Sequence, residues 1–102
     1  QNSILYMRDH LNQIVDLTSL AKEAGLSISH YSTLFKQKTR QSPIDYFIQM
    51  KIQYACQLID LNKINITQVS EAVGYSDAFY FSRLFKKVMG ISPSHYKSRN
   101  LK

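Results

Sequence analysis

The chain has 102 residues, enough for one compact domain and not for two large ones. Hydrophobic residues make up 44%, Gly and Pro number only 3 and 2, and 13 basic against 7 acidic residues leave a net charge of +6. Cys56 is the only cysteine, which excludes an internal disulfide and a Cys-based zinc site, and no stretch is long enough to span a bilayer or patterned as a signal peptide, so a cytoplasmic location fits.

Apolar residues recur at helical spacing almost throughout, with no long period-2 run, so the expected fold class is all-α. A first helix is expected from about Ser3 to Gln13, with Ile4, Met7, Leu11 and Ile14 as its inward stripe. Thr18 is the expected N-cap of a short second helix that Gly25 closes, with Leu17, Leu20, Ala21 and Ala24 facing the core. Ser27 caps a third helix to about Thr39, whose buried side is Tyr31, Leu34 and Phe35.

Ser42-Pro43 marks a new start, with Ser as N-cap, Pro at the first helical position and Asp45 in the first turn. This helix is the longest, to about Leu61, and at 1.5 Å per residue its length is about 27 Å. Cys56 lies on it between Ala55 and Leu58 and reads as a small buried thiol. After a polar break from Asn62 to Asn65, Thr67 is the expected cap of a short helix ending at Gly74. Asp77 caps the next, to about Met89, with Phe81, Leu84, Phe85 and Val88 inward and Gly90 in a left-handed C-terminal cap. Ser92-Pro93 opens a last short helix, and the tail from about Ser98 is expected to fray. The expected architecture is seven helices in one domain, with a first module over 1–41, a connector over 42–62 and a second module over 63–102.

The chain says nearly the same thing twice. Residues 25 to 46 and 74 to 96 both carry Gly-x-Ser, then Ser-x-Leu-Phe-Lys, then Ser-Pro-x-x-Tyr. Gly25 and Gly74 are offset by 49 residues, whereas Leu34-Phe35-Lys36 and Leu84-Phe85-Lys86 are offset by 50. Each copy places a short helix, a Gly-containing turn and a second helix in succession, which is the helix-turn-helix pattern. Both copies are locally basic. No acid lies between Ile28 and Ser42, and none follows Asp77, whereas Arg83, Lys86, Lys87, Lys97, Arg99 and Lys102 do. A polyanion is the partner such patches fit, and a merely solvated basic surface is the alternative.

The outward stripe of the later helix is Phe79, Ser82, Arg83 and Lys86, and that of the earlier one is Ser29, Ser32, Thr33 and Lys36. Small hydroxyls, a guanidinium and ammonium groups without an acid suit a helix laid into a DNA major groove. His30, Ala78, Tyr80 and Lys87 complete the candidate DNA-binding residues. Phe79 on a polar stripe needs a surface to touch, such as a thymine methyl or a sugar, unless it packs inside the domain.

The second module resembles the signature of the AraC/XylS family of bacterial transcription regulators through Val69-x-x-Ala72-Val73-Gly74-Tyr75-Ser76-Asp77, Tyr80-Phe81-Ser82-Arg83-Leu84-Phe85-Lys86-Lys87 and Gly90-Ile91-Ser92-Pro93-x-x-Tyr96. The first is similar at Leu20-Ala21, Gly25-Leu26-Ser27, Ser32 and Leu34-Phe35-Lys36. The resemblance covers essentially the whole chain. It implies seven helices in two helix-turn-helix subdomains joined by a long helix. It also implies that the third and sixth helices read successive major-groove segments, which lie about 34 Å apart. Thr33 stands where the family often has an Arg equivalent to Arg83, Arg40 where a Gly equivalent to Gly90 is common, and Lys51 where an Arg is frequent. Arg40 is therefore expected either to take a left-handed conformation or to end its helix differently from Gly90, and Arg83 is expected to dominate base readout over a non-palindromic site.

The expected partners are double-stranded DNA and RNA polymerase, in an activator whose isolated domain is monomeric and whose full-length form is dimeric. No membrane partner and no cofactor is expected. A helical protein-interaction module contacting RNA polymerase or a partner regulator is the alternative. Single-stranded RNA ranks below both, because most aromatics fall on inward positions. Catalysis is not expected, since His10, His30 and His95 lie far apart and no nucleophile, metal or phosphate-loop motif accompanies them. The start at Gln1 suggests a piece of a longer protein; the resemblance implies a response-regulator receiver, favoured here, or a sugar-sensing domain upstream, with a free-standing two-module regulator as the alternative.

Overall fold

The computed structural model describes residues 2–99 and contains seven helices, with no strand among the described residues. They are α1 (Asn2–Asp9), α2 (Leu17–Glu23), α3 (Ile28–Thr39), α4 (Pro43–Leu61), α5 (Ile66–Ala72), α6 (Ala78–Met89) and α7 (Pro93–Arg99). The body is 45 Å long and 22 Å across, with a radius of gyration of 14.6 Å against about 13 Å for a rounder chain of this size. Among the described residues no helix is long and apolar enough to cross a membrane.

The elongation follows from a core in two parts. Met7, Leu20, Ala21, Tyr31, Phe35 and Phe47 form one cluster. Ile52, Ala55, Ile59, Val69, Val73, Tyr75, Phe81 and Phe85 form the other. α4 serves both, giving Phe47 to the first and Ile52, Ala55 and Ile59 to the second. Each module repeats the same aromatic packing. Phe35 meets Tyr46 edge-on at 5.3 Å, and Phe85 meets Tyr96 edge-on at 5.7 Å. The tyrosine of each Ser-Pro-x-x-Tyr segment thus packs on the phenylalanine of its own module, while Pro43 and Pro93 are buried at the helix starts.

The two turns between short and long helices are also alike. Leu26 N–H bonds to Ala21 O and Gly25 N–H to Lys22 O, both at 3.0 Å. Tyr75 N–H bonds to Ser70 O at 2.9 Å and Gly74 N–H to Glu71 O at 3.0 Å. This is the Schellman arrangement, in which a left-handed residue lets the chain turn while the last carbonyls stay paired. Gly25 and Gly74 take φ of 73° and 92° to do it. The one-residue slip between the repeats lies just after these glycines, because Ser27 caps α3 whereas Asp77, one position further on, caps α6.

Between the two core clusters sits Lys51, only 1% exposed. Its Nζ donates to Leu11 O at 2.7 Å, Gln13 O at 2.5 Å and Val73 O at 2.7 Å, and lies 4.6 Å from the Phe47 ring centre. One ammonium group therefore spends its three protons on carbonyls from both modules. Burial lowers its pKa from 10.5 to about 8, so at neutral pH it remains charged.

Several sequence expectations need correction. α1 stops at Asp9 instead of running to Gln13. There His10 N–H turns back to Met7 O at 3.0 Å, its Nδ1 bonds to Tyr6 O at 2.7 Å, and the carbonyls beyond serve Lys51. Ile14 is consequently 63% exposed, and Val15 packs on the first cluster. The caps of α2 and α5 are Asp16 and Asn65, each two residues before the expected threonine. Asp16 accepts from Ser19 N–H, and Asn65 exchanges hydrogen bonds with Gln68 in a capping box. Ala24 and Val88 are exposed, Leu34 and Leu84 are half-buried, and α7 continues through Arg99. Lys102 lies outside the described residues. Arg40 does adopt the left-handed conformation, with φ of 67°, as Gly90 does at 85°. Cys56 is half-buried against the second cluster, where burial raises its thiol pKa.

Two stability measurements test this arrangement. Lys51→Met should lower the unfolding free energy by about 2–3 kcal/mol in denaturant titrations, since buried carbonyls lose their donor. Unfolded, Lys51 holds its proton up to about pH 10.5, whereas folded it releases it near 8, so the unfolded chain binds more protons between these values. The stability advantage of wild type over Lys51→Met should accordingly widen from pH 7.5 to 10, and a narrowing gap would contradict the assignment. At the turns, Gly25→Ala meets no atom within 4 Å and should cost about 1–2 kcal/mol for its backbone alone. Gly74→Ala should cost at least about 1 kcal/mol more, because its Cβ would stand 3.0 Å from the Gln13 backbone.

Candidate nucleic-acid interface

α3 and α6 are both 12 residues long, and their bounds correspond residue for residue at an offset of 50. Tyr31 and Phe35 face the core of one, and Phe81 and Phe85 that of the other. The helical repeat then sends the intervening positions outward in both. Each helix starts from a side-chain cap. Ser27 Oγ accepts from His30 N–H at 3.2 Å, whereas Asp77 Oδ1 accepts from Phe79 N–H at 2.9 Å and Tyr80 N–H at 3.2 Å. Each ends on a left-handed residue whose N–H closes the last turn, Arg40 to Lys36 O and Gly90 to Lys86 O. Both ends of α3 and of α6 are thus well defined in backbone terms.

Ser29, His30, Thr33 and Lys36 are exposed on α3, with Ser32 half-buried beside them. On α6, Phe79, Tyr80, Arg83, Lys86 and Lys87 are exposed, and Ala78 and Ser82 are half-buried. Phe79 is 82% exposed, so it does not pack inside the domain. The twelve expected residues therefore lie on the outer sides of the two helices, nine exposed and three half-buried. No acidic side chain lies within either helix. The two faces differ at their N-terminal ends, where α3 starts from a neutral hydroxyl and α6 from a carboxylate.

Arg83 is the side chain with the most support. Its guanidinium lies over the Tyr80 ring, 5.8 Å from its centre. Tyr80 meets Tyr75 edge-on at 5.7 Å, and the Tyr75 ring lies 5.5 Å from Lys51 Nζ. Burial, and then the neighbouring Tyr80, push the Tyr75 phenol up to about 12, so it stays neutral between its neighbours. The order Lys51, Tyr75, Tyr80, Arg83 runs from the seam between the modules to the outer face of α6. On α3 the residue at the Arg83 position is Thr33.

Two further residues lie at or behind these faces without standing out in the sequence. Gln37 is exposed at the position matching Lys87, and the offset of 50 was the signal for it. Tyr75 reads as part of a family motif, yet its place between Lys51 and Tyr80 depends on the tertiary fold. Among the described residues no group of three or more His, Cys, Asp or Glu side chains comes together.

A family model described as a helix-turn-helix domain matches residues 20–99. The MmsAB operon regulatory protein of Pseudomonas aeruginosa is 48% identical over 92% of the chain, which covers 31% of that protein. The arabinose operon regulatory protein of Escherichia coli is 36% identical over 91% of the chain, which covers 32% of that protein. The chain thus spans about a third of the length of these relatives. The C-terminal domain of AraT, a response regulator from Geobacillus stearothermophilus, superposes with a TM-score of 0.91 at 30% identity, covering 96% of this chain and 82% of that one.

Proposed function

We propose, for a chain that belongs to the AraC-type helix-turn-helix family of transcription regulators, that it binds double-stranded DNA sequence-specifically through the outer faces of α3 and α6. The observation that carries this reading is the pair of equal helices in one register, each with an exposed face free of acid and rich in hydroxyl and basic groups. Ser29, Ser32 and Thr33 on α3 and Ser82 and Arg83 on α6 address base edges or the sugar–phosphate flank. Lys36, Lys86 and Lys87 neutralise phosphates, and His30 lies where it can bond to one. Ala78, Phe79 and Tyr80 form the N-terminal part of the α6 face. α4, with 19 residues and a length of about 28 Å, is of the right order to hold two readers in adjacent major-groove segments.

The two readers are unequal. Arg83 has the fork geometry for two hydrogen bonds to guanine and an aromatic support that holds it, while Thr33 offers one hydroxyl. The site is accordingly non-palindromic for each copy of the chain. Its role is that of an output domain in a transcription activator, with RNA polymerase as the second partner. The likeness to the AraT C-terminal domain supports an attachment downstream of a receiver.

Binding titrations on a cognate duplex test the asymmetry. Arg83→Ala should cost about 1–3 kcal/mol of discrimination against other sequences. Thr33→Ala should cost less, and an equal or larger loss at Thr33 would overturn the ranking. Replacing Lys36, Lys86 or Lys87 should weaken all duplexes alike and lower the slope of log K against log salt by about 1 for each phosphate no longer neutralised.

A further inference from the structure

We propose that Phe79 is a specificity-determining residue that reads a pyrimidine C5-methyl group, that of thymine or of 5-methylcytosine, beside the base bound by Arg83. The inference rests on DNA binding through α6 and adds to it the chemistry of one base. Phe79 is the most exposed of the large hydrophobic side chains among the described residues, at 82%. It is no frayed end, since its own N–H is held by Asp77 at 2.9 Å in the first turn of a capped helix.

Its surroundings select the target. A phenyl ring has no hydrogen-bonding atom, and the apolar feature of the major groove is the C5-methyl of thymine. The Asp77 carboxylate at the same helix end disfavours a phosphate beside it, so this end of α6 meets base edges more readily than the backbone. Arg83 lies four residues on along the same face, about 6 Å of helical rise, or within two base-pair steps. The α6 half-site therefore pairs a C5-methyl pyrimidine with a neighbouring guanine. At the matching position α3 has Ser29, so α3 carries no equivalent apolar reader.

The test uses this chain and a duplex it selects from randomised DNA. Each thymine is replaced in turn by deoxyuridine, which removes the methyl and keeps the pairing, and Kd is measured by anisotropy. One thymine within two base pairs of the Arg83-dependent guanine should show a loss of about fourfold, the weight of one buried methyl group. Phe79→Ala should bind the thymine duplex at least fourfold more weakly and no longer distinguish it from the deoxyuridine duplex. With a C·G pair at that position, 5-methylation of the cytosine should restore about fourfold in wild type and nothing in Phe79→Ala. An intact uracil effect without that restoration assigns the methyl to thymine alone. A Phe79→Ala chain that keeps the uracil penalty, or a wild type blind to every uracil, overturns the inference while leaving DNA binding intact. A chain that selects no duplex overturns the proposed function and this inference with it.

Discussion

Everything in this molecule depends on where one ammonium group is placed. Lys51 is buried between two small cores, and its three protons are divided among Leu11, Gln13 and Val73. An isolated charge at that depth would be prohibitive, and a neutral side chain would leave the carbonyls unpaired. The arrangement holds because the α1–α2 connection ends its helix early and turns its carbonyls inward, and because Gly74 has no side chain to keep that connection away. Hydrophobic burial alone would have left two modules joined by a shared helix. The lysine adds direction to that joint, since hydrogen bonds to three fixed carbonyls admit little rotation of one module against the other.

The two modules repeat a scaffold and differ in what they display. The Schellman turns, the edge-on Phe–Tyr pairs, the buried prolines and the left-handed residues at 40 and 90 recur in both. On the outer faces Ser32 and Lys36 recur as Ser82 and Lys86, but Ser29 is replaced by Phe79 and Thr33 by Arg83. Even the caps diverge, a hydroxyl on one side and a carboxylate on the other. Arg83 gains from this divergence, because Tyr80 and Tyr75 support it from the seam outward.

Much of the fold was legible in the sequence because the signals were local. Ser27, Ser42 and Asp77 each stand directly before an apolar helical pattern, and each caps the helix expected of it. Thr18 and Thr67 misled because a better acceptor, Asp16 or Asn65, lay two residues upstream and won the first turn. Ile14 continued the α1 stripe on paper, but the helix had already ended for reasons set by Lys51, forty positions from Leu11 in the chain. Val88 fits the inward spacing of α6, yet it lies at the edge of the packing and stays 37% exposed. The outer faces could be read from the periodicity of the repeat, whereas the support of Arg83 could not. It joins residues from α4, a turn and α6 through ring contacts that no local pattern encodes.

The seam also bears on how such a protein can change over generations. Exposed outer-face residues such as Ser29 and Phe79 belong to neither core cluster, so they can be exchanged without disturbing the core beneath them. The joint has no such freedom: its donor comes from α4, two acceptors from one side and the third from the other. Recombination that imported a foreign second half would bring a strange carbonyl and a strange turn to the same ammonium. The heritable unit is thus the pair of modules with its clasp, and the outer faces can be rewritten in place more readily than the halves can be traded.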